Sequence, residues 1–299
     1  MYHRRSPGIL LLSLLATFTY PALLQAGDEI EESKPADPNG IVSIKNVRGD
    51  LEILGWDKAE IKVEGELDDL TKKFTFRVDG DKAQIEIHLP RFNVNHGDGS
   101  DLKIHVPIGS RVSFQGVSTD TVIKDIHGGV RIDSVSGEID VEHTREMLLV
   151  KTVSGDIDVN DATGDARIST VSGELDVEIE GENLTLESIS GDIDGRFETF
   201  STLRSTTVSG TQKLRGLLND SGDISISSVS GDIMLELQES VNARISAKTG
   251  IGGEIENDLS DHEPQVKFPS QGSLQATLGD GSGKIHISTV SADIRLDHR

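Results

Sequence analysis

Val135-Ser-Gly-Glu-Ile-Asp140, Val153-Ser-Gly-Asp-Ile-Asp158, Val171-Ser-Gly-Glu-Leu-Asp176 and Ile189-Ser-Gly-Asp-Ile-Asp194 are copies of one phrase, each starting 18 residues after the last. A fixed period of this size marks a stacked repeat, in which a unit cannot bury its apolar face alone and lays it on its neighbour. Let p be the first apolar residue of a repeat. Apolar side chains then recur at p, p+2, p+5, p+9 and p+11, with Gly at p+7 and an acid at p+8. With p at Leu148 the set is Leu148, Val150, Val153, Ile157 and Val159, with Gly155 and Asp156. Apolar pairs spaced by two are short strands with one buried side, because successive side chains on a strand point to opposite sides. Each repeat is therefore two strands joined by a corner, where Gly permits a backbone shape that a Cβ resists. The pattern predicts that all five apolar positions, Val153 included, face inward.

Outward from this block the template recurs at Val42, Val112, Ile224 and Ile285, the last with Ala292 in place of Gly. A degraded copy begins at Leu203, with Ser205 and Gln212 at apolar places. No proline lies between Ile108 and Glu263, as expected where every strand is hydrogen-bonded on both sides. The expected fold is all-β: a parallel β-solenoid of about 18 residues per coil, with irregular terminal regions. A β-sandwich would not require equal strand spacing.

The 299 residues carry a formal net charge of −22. Residues 1–26 hold Arg4 and Arg5 and no acid, so their removal would leave −24. Such a surface excludes nucleic acid as a partner, since binding it requires positive charge to displace counterions, and disfavours an anionic membrane surface. With no cysteine, disulfides, thiol nucleophiles and iron–sulfur clusters are excluded.

Residues 1–26 read as a signal peptide, with a positive start, an apolar core from Ile9 to Tyr20, and Pro21 before small residues. Residues 27–39 are acidic and proline-bearing and read as a linker. Residues 40–110 form an irregular N-terminal β part: a separate copy of the template at Ile41 to Ile53, then longer alternating strands. Residues 111–241 are the regular repeats, and 242–299 a C-terminal β part closed by the final copy. Terminal units are expected to be atypical, so that no bare strand edge is offered, and a terminal coil would tolerate Ala292. No segment shows helical periodicity.

The repeated Val-Ser-Gly-Asp-Ile phrase stands with Asn46-Val-Arg-Gly-Asp50, Gly55-Trp-Asp57 and the closing Ile287-Ser-Thr-Val-Ser-Ala-Asp-Ile-Arg295. Together they resemble the bacterial β-strand-repeat family of unknown function called putative adhesins, over residues 40–297. The resemblance implies a secreted or envelope protein with a β-helix-like body, and it supplies no catalytic residues.

The residues themselves offer little chemistry. Gly279-Asp-Gly-Ser-Gly-Lys284 lacks the spacing and following helix of a phosphate loop. His96, Asp98 and Asp101 stand close in sequence but fall short of a calcium loop. The corner serines have no histidine travelling with them as a base. Both tyrosines lie before residue 26 and Trp56 is the sole tryptophan, which leaves little for sugar stacking. The p+10 aspartates Asp140, Asp158, Asp176 and Asp194 would stack at roughly the 4.8 Å strand spacing as a weak candidate metal ladder. Calcium β-roll loops need more glycines than these corners hold, and the expected cation binding is weak. No cofactor or catalytic residue is expected.

The reading is a non-enzymatic exported protein of the bacterial periplasm or cell surface, an adhesin or structural scaffold. Its partner would be an unknown envelope protein or surface polymer, with no membrane span after signal cleavage. A calcium-responsive β-roll and a polysaccharide-active β-helix enzyme are the alternatives.

Overall fold

A computed structural model of the chain describes residues 27–90, 97–267 and 271–299. The segment read as a signal peptide, 1–26, and His96 lie outside the described residues. The described chain is all-β, without a helix, and its strands join in one 24-stranded sheet.

Two parallel stacks carry the repeats. In the first, Val130–Asp133 pairs with Arg111–Gln115 on one side and Leu148–Lys151 on the other, and Ala166–Ser169 follows. In the second, Ile139–Glu142 lies between Ser118–Lys124 and Ile157–Thr163. Registers match repeat positions: Val112, Val130, Leu148 and Ala166 are aligned, as are Thr121, Ile139, Ile157 and Leu175. The apolar rows of the two stacks face each other and form the core. Leu148, Val150, Ile157 and Val159 are all buried, each contributing roughly 1.5–3 kcal/mol of transfer free energy.

The fifth apolar position departs from expectation. Val153 is 48% exposed, and its counterparts Val117, Val135, Val171, Ile189, Val208, Val229 and Val290 are also exposed. Strand alternation continues round the corner, so p, p+2 and p+4 face inward and p+5 faces out. The residues turned into the core are the preceding Ser134, Thr152, Thr170, Ser188, Thr207, Ser228 and Thr289.

The degraded copy keeps its place by pairing its polar exceptions. Ser205 and Gln212 are buried. The Ser205 hydroxyl donates to Gln212 Oε1 at 2.5 Å, and Gln212 Nε2 donates to the Ser227 carbonyl at 2.9 Å.

Both ends are stacked in an order that differs from chain order. Ile41–Lys45 pairs with Arg111–Gln115 and with Lys82–His88, while Arg48–Trp56 lies between Ser118–Lys124 and Ser100–Pro107. The copy at Ile41 is thus the direct neighbour of the copy at Val112, and the strands Glu60–Glu66, Lys73–Asp79, Lys82–His88 and Ser100–Pro107 lie beyond it. Antiparallel strands finish this end: Lys73–Asp79 on Lys82–His88, and Glu60–Glu66 on Ser100–Pro107. The segment read as a linker, 27–39, contains the strand Glu29–Pro35, which pairs antiparallel with Glu60–Glu66. Its acidic, proline-bearing composition suits a sheet edge, where one side needs no partner.

At the other end, Gly283–Ser288 lies between residues 223–227 and Ala243–Ile251. Ile294–His298 lies between Ile233–Leu237 and Ile255–Asn257. The final copy is therefore interior, so Ala292 is not the concession of an end coil. Its corner keeps the repeat's bonds, with Ser291 N–H on Val229 O and Asp293 N–H on Asp232 Oδ1, both at 3.0 Å.

Candidate interaction surface at the corner

The corner is a continuous hydrogen-bonded ladder. Each p+6 serine N–H donates to the p+5 carbonyl of the preceding coil: Ser118 to Val47, Ser136 to Val117, Ser154 to Val135, Ser172 to Val153, Ser190 to Val171 and Ser209 to Ile189, at 2.7–2.9 Å. Ser230 and Ser291 continue it on Val208 and Val229 at 3.0 Å. The glycines that follow are required by close approach. A Cβ on Gly155, Gly173, Gly191 or Gly210 would strike the carbonyl of the glycine one coil before.

This backbone displays the p+5 side chains as a rail of aliphatic, β-branched residues. Eight of them, Val117 through Val290, are 41–59% exposed, and the half-buried Val47 extends the row. Nine rungs at the strand spacing span ~38 Å. Single exposed aliphatics need no explanation, but an unbroken row of them does.

One side of the rail is acidic. The p+8 row runs Asp50, Asp120, Glu138, Asp156, Glu174 and Asp192, and after Thr211 it resumes with Asp232 and Asp293. Some of these acids bind backbone: Asp120 Oδ1 accepts from Glu138 N–H at 2.9 Å, Asp156 from Glu174 at 2.8 Å and Asp192 from Thr211 at 2.7 Å. The acceptor in each is aspartate, whose short side chain keeps its carboxylate near the main chain, so Asp and Glu are not equivalent at this place.

The p+10 row is the candidate metal ladder, and register does align Asp140, Asp158, Asp176 and Asp194 on neighbouring coils. Arginines engage half of it. Arg196 reaches Asp176 at 2.7 Å and Asp194 at 3.6 Å, and Arg215 reaches Asp194 at 3.2 Å. Fixed guanidinium groups thus stand where a cation would act. Among the described residues no group of three or more His, Asp or Glu side chains is arranged to hold a metal ion. Asp140 and Asp158 lack such arginine contacts in their own coils, and their carboxyls are pushed above the ordinary aspartate value. Burial is the main cause, followed by Glu138 and Glu142 for Asp140, and by Asp176 and Asp140 for Asp158.

The other side of the rail is mixed, with Arg131 on Asp133 at 2.8 Å and Arg167 on Glu187 at 2.8 Å. The surface is therefore directional: an aliphatic row with a run of carboxylates along one flank and arginine–carboxylate pairs along the other.

Two further groups of polar and aromatic residues stand away from the rail among the described residues. Trp56 stacks on His105 at 4.8 Å, Lys58 lies 4.2 Å from its ring centroid, and its Nε1–H donates to Glu60 O at 2.7 Å. Its indole is already covered and offers no open sugar platform. At the opposite corner the structure joins residues that sequence distance had scattered. His143 lies 3.8 Å from Asp125 and 3.3 Å from Asp161, in an open groove of about 400 Å³ that includes His127 and Arg145. Asp125, His143 and Asp161 share position p+13 and a left-handed backbone, which Asp and His tolerate better than most residues. Aligning the repeats at p+13 would have revealed this column. It supports ion pairing when the imidazole is protonated.

Among known proteins, the family model described as Toastrack DUF4097 matches residues 29–297. A search of curated proteins finds no match. Among solved structures, one described as a putative adhesin from Bacteroides fragilis NCTC 9343 is similar at 10% identity and a TM-score of 0.47, covering 90% of this chain and 97% of that one. Another, described as a putative cell adhesion protein from Clostridium sporogenes ATCC 15579, is similar at 13% identity and a TM-score of 0.25, covering 91% and 100%.

Proposed function

This chain belongs to the Toastrack DUF4097 family, and from that premise we propose that it is a non-enzymatic binding scaffold of the bacterial envelope, exported to the periplasm or cell surface. Its body is read as a parallel β-solenoid of about 18-residue coils, which holds a long, stiff edge in place. The observation that carries the reading is the inversion at the corner. Hydroxyls are turned into the core while aliphatic side chains are turned to solvent, coil after coil. A fold selected for stability alone would place them the other way. The rail is therefore the surface with which the scaffold binds.

The test is a pull-down from native envelope fractions with the wild-type chain and with a Val135→Thr, Val153→Thr, Val171→Thr variant. Threonine keeps the β-branched shape that suits a strand and adds a hydroxyl to each rung. The variant should lose the components that the wild-type chain retains. Equal retention by both chains would remove the rail from the function.

A further inference from the structure

The geometry points to an amphipathic helix, aliphatic along one stripe and lysine- or arginine-rich beside it, as the partner segment of the rail. This inference rests on the reading of the rail as a binding surface and adds the chemistry of what binds.

Charge comes first. Beside Val135, Val153 and Val171 stand Glu138, Asp140, Asp156, Asp158 and Glu174. The p+10 row is bounded by Val122 upstream and Lys213 downstream, and Arg196 stands on the Ile189 rung itself. From Val135 to Ile189 four consecutive rungs thus carry acids at both p+8 and p+10, while acids at p+8 alone continue beside Val117, Val229 and Val290. The opposite flank pairs its own charges, Arg131 with Asp133 and Arg167 with Glu187. A complementary partner carries cations on one side of its apolar stripe.

Spacing selects the conformation. A helix repeats its apolar stripe about every 5.4 Å, against a rung spacing of ~4.8 Å. The two slip by ~0.6 Å per rung, so a straight helix stays within half a rung for about four rungs. An extended strand repeats a face every ~6.8 Å and falls out of step by the second rung. Four consecutive rungs, from Val135 to Ile189, are also those that carry acids at both p+8 and p+10. A second copy of this chain would match the spacing, but it brings a net charge of −22 to an acidic edge. Self-association would strengthen with added salt, whereas the helix would bind more weakly.

The probe is a dye-labelled peptide of about 14 residues, four helical turns, with leucines on one stripe and lysines beside it. Two control peptides replace its lysines by glutamate or its leucines by serine. Fluorescence anisotropy should show the leucine–lysine peptide binding the wild-type chain, with affinity falling as salt is added. Affinity should drop at least about tenfold for the Val135→Thr, Val153→Thr, Val171→Thr variant and for the serine–lysine peptide. An Asp140→Asn, Asp158→Asn variant, which keeps the rail, should bind more weakly and with a shallower salt dependence.

Equal binding to wild-type and threonine variants would reduce the effect to general attraction between a cationic peptide and an acidic protein, and overturn the proposal. So would absence of binding, binding of the leucine–glutamate peptide, unchanged behaviour of the asparagine variant, or rail-dependent self-association that grows with salt. If the peptide fails while envelope retention still depends on the rail valines, the helix is wrong and the binding surface stands.

Discussion

Thr152 and Val153 are neighbours in the chain and opposites in environment: the threonine is 3% exposed and the valine 48%. The hydroxyls of Thr152, Thr170, Ser188, Thr207 and Thr289 find no hydrogen-bond partner among the described residues. A buried hydroxyl without a partner is a net cost, and a methyl of similar shape removes it. Thr152→Val is therefore expected to stabilise the protein by ~1 kcal/mol, read as a raised midpoint in urea unfolding. Val153→Thr should change stability by less than ~1 kcal/mol, within the whole range of strand propensity. A valine enclosed in the core would cost more. A loss of ~2 kcal/mol or more on changing Val153, with no gain at Thr152, would show that the corner has been assigned backwards.

At the scale of the element, the aspartate column shows how a repeat accumulates charge that a single strand would tolerate. Neighbouring carboxylates at ~4.8 Å repel by ~0.9 kcal/mol in bulk water before salt screens them. Arg196 and Arg215 relieve Asp176 and Asp194, while the carboxyls of Asp140 and Asp158 are held above their ordinary value, first by burial and then by neighbouring acids. A carboxyl raised in the folded state binds protons more readily than in the unfolded chain, so stability falls as pH rises through its titration. The penalty is full at neutral pH and is relieved in acid, as pH falls through the raised value. Asp158→Asn should thus stabilise the protein at neutral pH by up to ~1 kcal/mol in dilute buffer. The gain should shrink in high salt and vanish below the ordinary aspartate range. Paired melting curves across pH and salt would check this, and a destabilised variant at neutral pH would contradict it.

Within the regular repeats the strands and their pairing were legible in the sequence for a physical reason. A two-residue alternation fixes which way a strand faces, and an 18-residue recurrence fixes which residues align. At the corner two signals conflict: hydrophobicity points inward at Val153, whereas the alternation p, p+2, p+4 points inward at Thr152, and alternation prevails. The acidic side of the rail could be read from p+8 and p+10. Its aliphatic centre could not be seen while the valines were placed inside. The column of Asp125, His143 and Asp161 is hard to see in the sequence because p+13 lies outside the repeated phrase and alternates between Asp and His. The edge strand at Glu29–Pro35 lacks an apolar alternation, since an edge of acids is shaped by what it must avoid pairing with. Stacking order at the two ends was beyond reach altogether: each copy carries the same template, and nothing local in it says which copy lies next to which.

The interleaved end has a consequence for time as well as space. Residues 243–257 leave the ribosome before residues 283–298, yet their native parallel neighbour is that later segment. Until it arrives, Ile245 and Ala247 meet a ready surface in Ile224 and Ile226, the row on which Ile285 and Ile287 finally rest. Premature docking there would be well packed and wrong, and it must be undone before the later segment can enter. Such long-range closure is slow and leaves strand edges bare while it waits. Pulse-labelled hydrogen exchange during refolding should find the amides of 130–178 protected first, and those of 243–257 acquiring native protection only together with 285–296. If 243–257 reached native protection well before 285–296, this end would close by a different order. The stretch that speaks last in the sequence would then no longer be the keystone for those that speak before it.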